Sequence, residues 1–466
     1  MNVTSNDFIP MAQIALMDDE MRVSVNQATT TAYNKRLNVM FEAGIEHGEA
    51  LRQQAAHAKR RALSQLPELL EQAEANFKAN GAEVLWAVTG DEVNQLVMDI
   101  VRRHEVRSVV KSKSMVSEEI GLNHILEANG IEVVETDLGE YIVQLDHDTP
   151  SHIVTPVIHK SKAEIRDLFI RELDMPPTDD TSEMAQFARR VLREKFLHAD
   201  MGITGGNFII AETGTVCIVT NEGNGRMVTS LPRVHVAIVG IEKIVETFED
   251  YATLTQVLPR SATGQTITVY THMYNGPRKT SESDGPEYMY VIFVDNGRSD
   301  IYASKYAEAL TCIRCGACMN ACPVYRTTGG HAYGWVYPGP IGAVITPLLN
   351  GLGNAKPLPH ASSLCGSCKQ VCPVDIDLPR MLLDLRSDLY QEGKTEAHWI
   401  LGLKLWAIGN QSPLLFEIAG RLARYITGDH PPKNLPGPLS GWSKYRDFPR
   451  FAKKSFRQQW RERRGK

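Results

Sequence analysis

The sequence predicts an α/β domain followed by a helical, cysteine-bearing domain, with helical extensions at both ends. Between residues 81 and 296, short apolar runs alternate with helix-patterned segments, which is typical of an α/β domain. Seven of the eight cysteines fall in two clusters between Cys312 and Cys372. Both ends of the chain are rich in residues that favour helices. We therefore expect four regions: residues 1–69, 70–296, 300–379 and 380–466.

Length and composition are those of a globular protein. The 466 residues predict two or three domains, and 43% hydrophobic with 23% charged residues is ordinary for such a chain. The net charge of −5 excludes no class of partner. No secretory signal opens the sequence, so we expect a cytoplasmic protein whose thiols stay reduced. No nucleic-acid-binding module is recognisable, so nucleic acid is not an expected partner.

The helical and strand-like segments follow in a regular order. Residues 31–80 predict helices that pack on the domain that follows, and a further helix is expected at residues 118–129. Strands are expected at residues 83–88, 106–110, 131–135, 207–211, 215–220, 234–239, 266–271 and 288–295. Strands separated by helices imply right-handed crossovers and a largely parallel sheet, whereas the short connection at residues 212–214 predicts one hairpin.

The first cysteine motif has the spacing of a bacterial-type ferredoxin. Cys312, Cys315 and Cys318 are each separated by two residues, and Cys322 follows after three more, directly before Pro323. Where two such motifs occur, the first three thiolates bind one cubane iron–sulfur cluster and the fourth thiolate binds the other cluster. The proline cannot donate a backbone hydrogen bond, and it turns the chain out of the loop. The motif therefore predicts a protein that carries single electrons.

The second motif is one cysteine shorter, with Cys365, Cys368 and Cys372 before a proline. The ferredoxin spacing predicts two ligand sets: Cys312, Cys315, Cys318 and Cys372 for the first cluster, and Cys322, Cys365 and Cys368 for the second. Ser362 stands where the fourth cysteine of the second motif would be. Three interpretations of the second cluster stay open: a three-iron cluster, a cubane with an oxygen or histidine ligand (Ser362, His360 or water), or a labile iron.

Zinc and disulfides are the alternatives for these cysteines. Pairs of the form Cys-x2-Cys commonly hold tetrahedral zinc, but a run of four cysteines with two Cys-Pro endings fits iron–sulfur clusters better. Disulfides are not expected in a reducing compartment. Cys217 lies in a distant apolar run, as a buried core residue does. We therefore expect two [4Fe–4S] clusters as cofactors, with the seven motif cysteines as ligands and none as a nucleophile.

Three polar loops of the α/β domain are candidates for a small-anion site. They are residues 111–115, 202–207 and 221–226. A loop with lysine and serine between a strand and a helix can hold an anion at the helix N-terminus. None of the three is a nucleotide-binding fingerprint, so plain turn formation is the other interpretation of each. Structural rather than catalytic roles are expected for Glu212, His152, His159 and His235.

The C-terminal region combines apolar helices with a basic end. Residues 399–419 predict two amphipathic helices around a turn, and residues 430–438 predict a Pro/Gly linker. Residues 444–466 contain ten Lys or Arg against two acidic residues. No apolar run of about 18 residues exists, so no transmembrane helix is expected. Two interpretations of the basic end stay open: a solvated tail, or contact with an acidic partner or with the inner face of a membrane.

Taken together, these motifs resemble the lactate-utilization protein B family. The resemblance rests on both cysteine motifs and on residues 111–120, 135–141, 202–208, 211–215, 220–226 and 333–340. It covers nearly the whole chain and is weakest before about residue 30 and in the last segment. It implies a LUD domain with a CoA-transferase-like α/β fold, then a di-cluster ferredoxin-like domain and a family-specific C-terminal region. The family pattern itself has three cysteines in the second motif, so Ser362 is not a departure from it.

The resemblance also implies a function and partners. Members of the family are iron–sulfur proteins of bacterial L-lactate oxidation to pyruvate, which allows growth on lactate. The implied partners are a cysteine-rich CCG-domain iron–sulfur protein and a small protein that is a lone LUD domain, and the electron acceptor stays open. This chain is then expected to be the electron-transfer subunit. The alternatives are an iron–sulfur subunit of another respiratory 2-hydroxy-acid or glycerol-3-phosphate dehydrogenase, a non-catalytic carboxylate-binding protein with structural clusters, and a chain that itself holds the lactate site.

Overall fold

The chain forms two compact units, Met1–Ser387 and Asp388–Lys466. A computed structural model describes residues 3–427, 440–443, 446–447 and 451–464. The linker predicted at residues 430–438 lies outside the described residues.

The first unit combines α-helices with two β-sheets. Its helices are α1 (Phe8–Ala15), α2 (Asp19–Met40), α3 (Ile45–Ser64), α4 (Leu66–Ala79), α5 (Gly90–Arg103), α6 (Met115–Glu119), α7 (Leu122–Ala128), α8 (Leu138–Leu145), α9 (Lys162–Leu173), α10 (Thr181–His198), α11 (Asn224–Ser230), α12 (Phe248–Ala262), α13 (Arg298–Tyr302), α14 (Ala317–Ala321), α15 (Pro323–Thr328), α16 (Gly339–Asn350), α17 (Ser367–Val371) and α18 (Leu378–Gln391), whose last four residues belong to the second unit. Its strands are β1 (Glu83–Ala87), β2 (Ser108–Lys111), β3 (Glu132–Glu135), β4 (Met201–Thr204), β5 (Phe208–Ile210), β6 (Thr215–Thr220), β7 (Val234–Gly240), β8 (Ile244–Val245), β9 (Tyr270–Tyr274) and β10 (Tyr288–Val294).

A six-stranded parallel sheet forms the centre of the α/β domain, as the sequence predicts. Its strand order is β1-β10-β7-β4-β2-β3, and all neighbouring strands pair in parallel. Strand β7 is buried along its whole length, as expected for a parallel sheet covered on both faces. Because the strands are parallel, the segments that follow β2, β4 and β7 leave from the same edge of the sheet.

The second sheet has the order β8-β5-β6-β9. Strands β5 and β6 form the predicted hairpin and pair antiparallel. Strand β9 pairs antiparallel with β6, beginning where Tyr270 lies opposite Thr220. The strand predicted at residues 266–271 is therefore wrong in its position. Because β6 ends at Thr220, the residues before Tyr270 have no strand to pair with.

The helix predicted at residues 118–129 is also wrong, because the chain forms two short helices there. Helix α6 ends at Glu119, and α7 begins at Leu122. Between them Gly121 has φ 65°, a left-handed conformation that glycine adopts without strain and that ends a helix. The remaining predicted strands are confirmed, with ends that differ by up to two residues.

The N-terminal helices lie between the α/β domain and the cysteine-bearing domain. Helix α2 packs against α12 of the α/β domain and against α14 and α15 near the first cysteine motif. Helix α3 packs against α12 and β8. Val25 of α2 and Ala55 of α3 are fully buried. The predicted packing of these helices is thereby confirmed, and it extends to both domains.

The cysteine-bearing domain is built from short helices around one larger helix. Helix α14 follows Cys312 and Cys315, contains Cys318, and packs against α16 and against α17 of the second motif. The long segment between the motifs is not a continuous helix, as its glycines and prolines predict. Helix α15 ends at Thr328, and α16 begins only at Gly339. Tyr325, Tyr333 and Tyr337 from this segment are buried in the domain core.

The second unit is helical in the part that the structure describes. Its helices are α19 (Ala397–Gln411), α20 (Pro413–Thr427), α21 (Ser440–Ser443) and α22 (Phe456–Arg464). Helices α19 and α20 pack against each other across Ser412, whose backbone is extended. The predicted pair of helices is thereby confirmed. Of the two, only α20 has its apolar residues on one face, whereas those of α19 lie all around the helix, so the amphipathic character predicted for both helices is wrong for α19. Among the described residues, no helix has the length and apolar character needed to cross a membrane.

Candidate iron–sulfur centre and adjoining cavity

The two cysteine motifs share one backbone conformation. In the first motif Arg314 and Gly316, on either side of Cys315, have φ 58° and 74°. In the second motif Leu364 and Gly366, on either side of Cys365, have φ 54° and 84°. A short helix begins directly after each glycine. The two loops are therefore structural repeats, although only the first carries a cysteine at its first position.

Ser362 occupies the position of Cys312 in this repeat. The backbone N–H of Arg314 donates to Sγ of Cys312 over 3.4 Å. The backbone N–H of Leu364 donates to Oγ of Ser362 over 3.1 Å in the same way. The serine side chain is therefore held as the first cysteine of the other loop is held.

The thiols of Cys315 and Cys318 lie among other motif thiols. Burial, with smaller contributions from the nearby Cys372 and Cys312, raises the pKa of Cys315 to about 12. Burial also raises the pKa of Cys318 well above its ordinary value, with contributions from Cys312, Cys315 and Cys368. Cys372 of the second motif therefore lies near Cys312 and Cys315, and Cys368 lies near Cys318.

The remaining thiols interact across the motifs as well. Burial raises the pKa of Cys322, and Cys365 of the other motif adds to this effect. Burial raises the pKa of Cys368 to about 12, and Cys322 is the next cause of the increase. Cys365 is the exposed member of the seven, and its Sγ lies 3.4 Å from Oγ of Ser367. None of the cysteines in the described residues is in a disulfide.

The three polar segments that the sequence singles out converge on one cavity of about 590 Å³. The loop predicted at residues 202–207 is wrong in its first half, because residues 202–204 belong to β4, a strand that the sequence analysis did not predict. The cavity is lined by Ser112, Lys113, Ser114, Gly205, Gly206, Asn207, Asn221, Glu222 and Asn224 from those segments. Lys243, which follows β7, and Arg314 and Tyr337 of the cysteine-bearing domain also line it. The sequence analysis missed these three residues. Lys243 lies three residues beyond the end of a buried parallel strand, and such positions are where ligand sites form.

Comparison with known proteins gives the chain its family. The LUD domain model matches residues 70–294, the 4Fe-4S dicluster domain model residues 308–376, and the lactate utilisation protein B C-terminal model residues 388–465. The lactate utilization protein B of Bacillus velezensis is 44% identical over 96% of this chain and 95% of its own. The chain belongs to the lactate utilization protein B family.

Further members of the lactate utilization protein B family match over a similar extent. The protein from Oceanobacillus iheyensis is 44% identical over 96% of this chain and 94% of its own. The protein from Bacillus licheniformis is 43% identical over the full chain and 98% of its own. A crystal structure of a DUF162 family protein from Deinococcus radiodurans aligns with 49% of this chain and 98% of its own, with a TM-score of 0.28 and 17% identity.

The cysteines of this family member fit the iron–sulfur clusters that its dicluster domain implies. Thiolates are the ligands that such clusters take, and the motif thiols lie close enough to perturb one another. Burial makes an uncoordinated thiolate costly, so a positively charged iron core is a suitable partner for these buried sulfur atoms.

Two arginines of the N-terminal helices donate hydrogen bonds to backbone carbonyls of the second cysteine loop. Nη2 of Arg36 donates to the carbonyl of Val371 over 2.8 Å. Nε and Nη2 of Arg52 donate to the carbonyl of Cys372 over 3.1 and 2.8 Å. Both arginines are buried, so they bring positive charge close to the thiols. The sequence analysis missed them, because nothing in their own helices distinguishes them from surface arginines.

A buried ion network joins the α/β domain to the cysteine-bearing domain. Arg298 donates from Nη1 and Nη2 to the two carboxylate oxygens of Glu119, each over 2.9 Å. Nε of Arg298 donates to Glu242 over 2.7 Å. The hydroxyl of Tyr337 donates to Glu119 over 2.8 Å, and Nη2 of Arg314 lies 3.8 Å from Glu242. The network therefore reaches the first cysteine loop through Arg314.

A separate group, Asp148, His159 and His331, has the composition of a metal site. Its polar atoms are already engaged, however. His159 contacts Asp148 through Nε2 over 3.0 Å and Ser151 through Nδ1 over 2.6 Å. Nε2 of His331 donates to the carbonyl of Thr149 over 2.7 Å. A lysine also lies 3.3 Å from the carboxylate of Asp148, so we assign this group a structural role.

The other residues considered from the sequence have structural contacts. Cys217 is fully buried, and burial raises its pKa to about 12. His235 is buried against Thr204, 2.9 Å away, and burial lowers its pKa to about 3. His152 contacts the side chain of Asn320 over 3.2 Å. Glu212 is exposed and accepts the backbone N–H of Phe248 at the start of α12, over 3.0 Å.

Proposed function

We propose that this chain is the iron–sulfur electron-transfer subunit of a complex that oxidises L-lactate to pyruvate. The observation that carries the proposal is the packing of two ferredoxin-like cysteine loops, α14 against α17, in a chain whose relatives are named lactate utilization protein B. When bound, two [4Fe–4S] clusters accept and pass on single electrons, whereas lactate oxidation releases two.

The seven motif cysteines are the proposed ligands, in two sets that cross between the motifs. The first set is Cys312, Cys315, Cys318 and Cys372, and the second set is Cys322, Cys365 and Cys368. The electrostatic neighbours of the thiols support this division in two places, since Cys372 raises the pKa of Cys315 and Cys322 raises the pKa of Cys368. Cys368 also raises the pKa of Cys318, so the two proposed sets lie close to each other. Ser362 is the proposed side chain at the fourth position of the second cluster. This is supported by the backbone hydrogen bond that its Oγ accepts from Leu364, which is equivalent to the one that Sγ of Cys312 accepts from Arg314.

Residues around the thiols have supporting roles in this proposal. Arg36 and Arg52 hold the loop of Cys372 in place, and their positive charge favours the more reduced state of a nearby cluster. The buried tyrosines of the same domain exclude water from the sulfur atoms. Both effects adjust a reduction potential without taking part in lactate chemistry.

The proposed complex includes two further proteins, a CCG-domain iron–sulfur protein and a small lone LUD domain. Membership of the lactate utilization protein B family supports this assembly. The basic end of the chain is a proposed contact for an acidic partner or for the inner face of the membrane.

Anaerobic purification, iron and sulfide analysis, and EPR during stepwise reduction test the proposal. Cys372→Ser should disturb the same cluster signal as Cys315→Ser, although the two residues lie in different motifs. Cys322→Ser should disturb the other signal, and Cys217→Ser should leave the iron content unchanged. Addition of L-lactate with both partners should then reduce the clusters of the wild-type chain.

Three results would contradict the proposal. One is zinc in place of iron. Another is a Cys372→Ser variant that retains the cluster lost in Cys315→Ser. The third is a pair of intact clusters that L-lactate does not reduce when both partners are present.

A further inference from the structure

The cavity between the α/β domain and the first cysteine loop contains positively charged groups that the protein itself does not neutralise fully. Its volume of about 590 Å³ is within the usual range for small-molecule sites, about 300–1,000 Å³. It is enclosed by loops that leave the carboxyl ends of β2, β4 and β7, the edge at which α/β sheets bind ligands. Position and size therefore both point to a ligand site.

Two buried cations that line this cavity have hydrogen-bond donors without a partner among the described residues. The side chain of Arg314 is 6% exposed, and its Nη1 has no hydrogen-bond partner among the described residues. Lys243 is 8% exposed, and its Nζ makes no hydrogen bond or ion pair closer than 4.0 Å within that part of the chain. Buried charges are costly unless they are paired, so an anion in the cavity would satisfy both groups.

The neighbouring carboxylates do not fully balance these charges. Glu242 lies 3.8 Å from Arg314, but its other oxygen already accepts from Arg298. Glu119 is engaged by Arg298 as well. The three cations Arg298, Arg314 and Lys243 therefore share the buried carboxylates of Glu119 and Glu242. Asp137 and Glu222 also line the cavity, but among the described residues neither forms an ion pair with Arg314 or Lys243 within 4.0 Å.

We propose that this cavity binds the carboxylate of a small 2-hydroxy or 2-oxo acid, with Arg314 and Lys243 as the groups that contact it. The planar guanidinium of arginine suits the two oxygens of a carboxylate. The loops lack the glycine-rich phosphate-binding fingerprints, which argues against a nucleotide. The identity of the acid rests on the proposed function, whereas the anion site itself rests on the cavity and its buried cations.

The position of Arg314 places this site next to the proposed first cluster. Arg314 lies between Cys312 and Cys315, two proposed ligands of the first cluster, and it also lines the cavity. A bound acid would therefore lie against the loop that holds the first cluster. This arrangement places the substrate site in the same chain as the electron carrier rather than in a partner protein.

Calorimetric titration of the full chain, purified anaerobically with its clusters, tests the proposal with L-lactate, pyruvate and inorganic phosphate as probes. Lys243→Met should weaken lactate or pyruvate binding about thirtyfold or more, the change expected when a buried charged contact is lost. Lys195→Met is the matched control, because Lys195 pairs with Glu132 at the surface. Iron content and the visible absorbance of the clusters should be unchanged in both variants.

A second variant keeps the test decisive if Lys243→Met fails to fold. Gln265 lines the cavity, and its Oε1 accepts from Asn221 over 2.9 Å and from Thr263 over 2.6 Å. Gln265→Glu keeps an acceptor at this position but adds a negative charge, so it should also weaken binding of the acid. Lys243→Arg should retain binding.

The outcomes separate this proposal from the electron-transfer proposal. If neither acid binds, or if phosphate binds as well as the acids, the carboxylate site is refuted, even when L-lactate with the partners still reduces the clusters. Equal weakening by Lys195→Met would refute it too. If the acids bind as expected but the clusters are never reduced, the site stands and the electron-transfer role is refuted.

Discussion

Replacing Arg298 by methionine should strongly destabilise the first unit. The side chain of Arg298 is 1% exposed and makes charged hydrogen bonds to Glu119 and Glu242, which are equally buried. Methionine fills a similar volume but leaves both carboxylates without their main partner. The network also ties the end of the parallel sheet to Tyr337, so its loss affects the contact between the two domains.

The size of the effect follows from the charges involved. Removing one member of a buried ion pair typically costs about 3–5 kcal/mol, because the other charge stays buried. Burial alone would raise the pKa of Glu242, but Arg298, together with Lys243 and Arg314, holds it at about 2 instead of the ordinary 4.5. This difference corresponds to about 3 kcal/mol of stabilisation. We therefore expect a loss of about 3–5 kcal/mol near neutral pH.

The pH dependence of the loss has a definite sign. A carboxyl with a lowered pKa stabilises the folded state above its unfolded pKa, and this contribution disappears as the pH falls toward the folded value. In Arg298→Met the pKa of Glu242 should rise, so protonation relieves the buried charge at mildly acidic pH. The difference in stability between variant and wild type should therefore be smaller at about pH 6 than at about pH 8.

Urea unfolding of the full chain with its clusters, followed by far-UV circular dichroism, measures the effect. Arg102→Met is the control, because Arg102 and Asp99 form an exposed pair worth at most about 1 kcal/mol. Adding Glu119→Gln and Glu242→Gln to Arg298→Met should recover part of the lost stability. If Arg298→Met unfolds at the same urea concentration as Arg102→Met, the network does not stabilise the fold and the reasoning is wrong.

Three further predictions concern single residues. Ser362→Cys should replace the proposed oxygen ligand of the second cluster by a thiolate and change the EPR spectrum of that cluster, while the iron content stays at about eight per chain; an unchanged spectrum would mean that residue 362 does not face the cluster. Arg52→Gln should lower the reduction potential of one cluster, because a cation beside the carbonyl of Cys372 is lost; equal shifts of both clusters would contradict this assignment. Burial lowers the pKa of His235 to about 3, so this side chain stays neutral in the folded state. The free energy of unfolding should therefore fall by about 2 kcal/mol between pH 7 and pH 5, because the histidine takes up a proton only when the chain is unfolded. In His235→Gln this part of the pH dependence of unfolding should be absent.

The cysteine loops were predictable because their chemistry is local. Each loop spans a few residues, and its positive-φ positions and following helix depend on the loop itself. The spacing therefore predicts an iron–sulfur motif without knowledge of the rest of the chain. Most strands were predictable for the same reason, since apolar runs of strand length are local as well.

The misplaced strand arose where local pattern and long-range pairing disagree, whereas the helix predicted at residues 118–129 is interrupted locally, at the left-handed Gly121. The strand predicted at residues 266–271 has the right composition, but β6 ends at Thr220 and offers it no partner there. The strand order was not predictable from pattern either, because β10 inserts between β1 and β7, which lie far from it and from each other in sequence. Pairing of this kind depends on how the whole sheet is packed.

By itself the sequence determined the residues that can bind iron, the alternation of strands and helices, and the family resemblance. Only the tertiary structure decided what surrounds the cysteines. Arg36 and Arg52 donate to Val371 and Cys372 across 335 and 320 residues of sequence, and neither arginine lies in a motif. The cavity likewise exists only because segments that are distant in sequence pack against one another. Which residues become neighbours depends on the free energy of the complete packed chain, and this free energy cannot be read from a short segment of sequence.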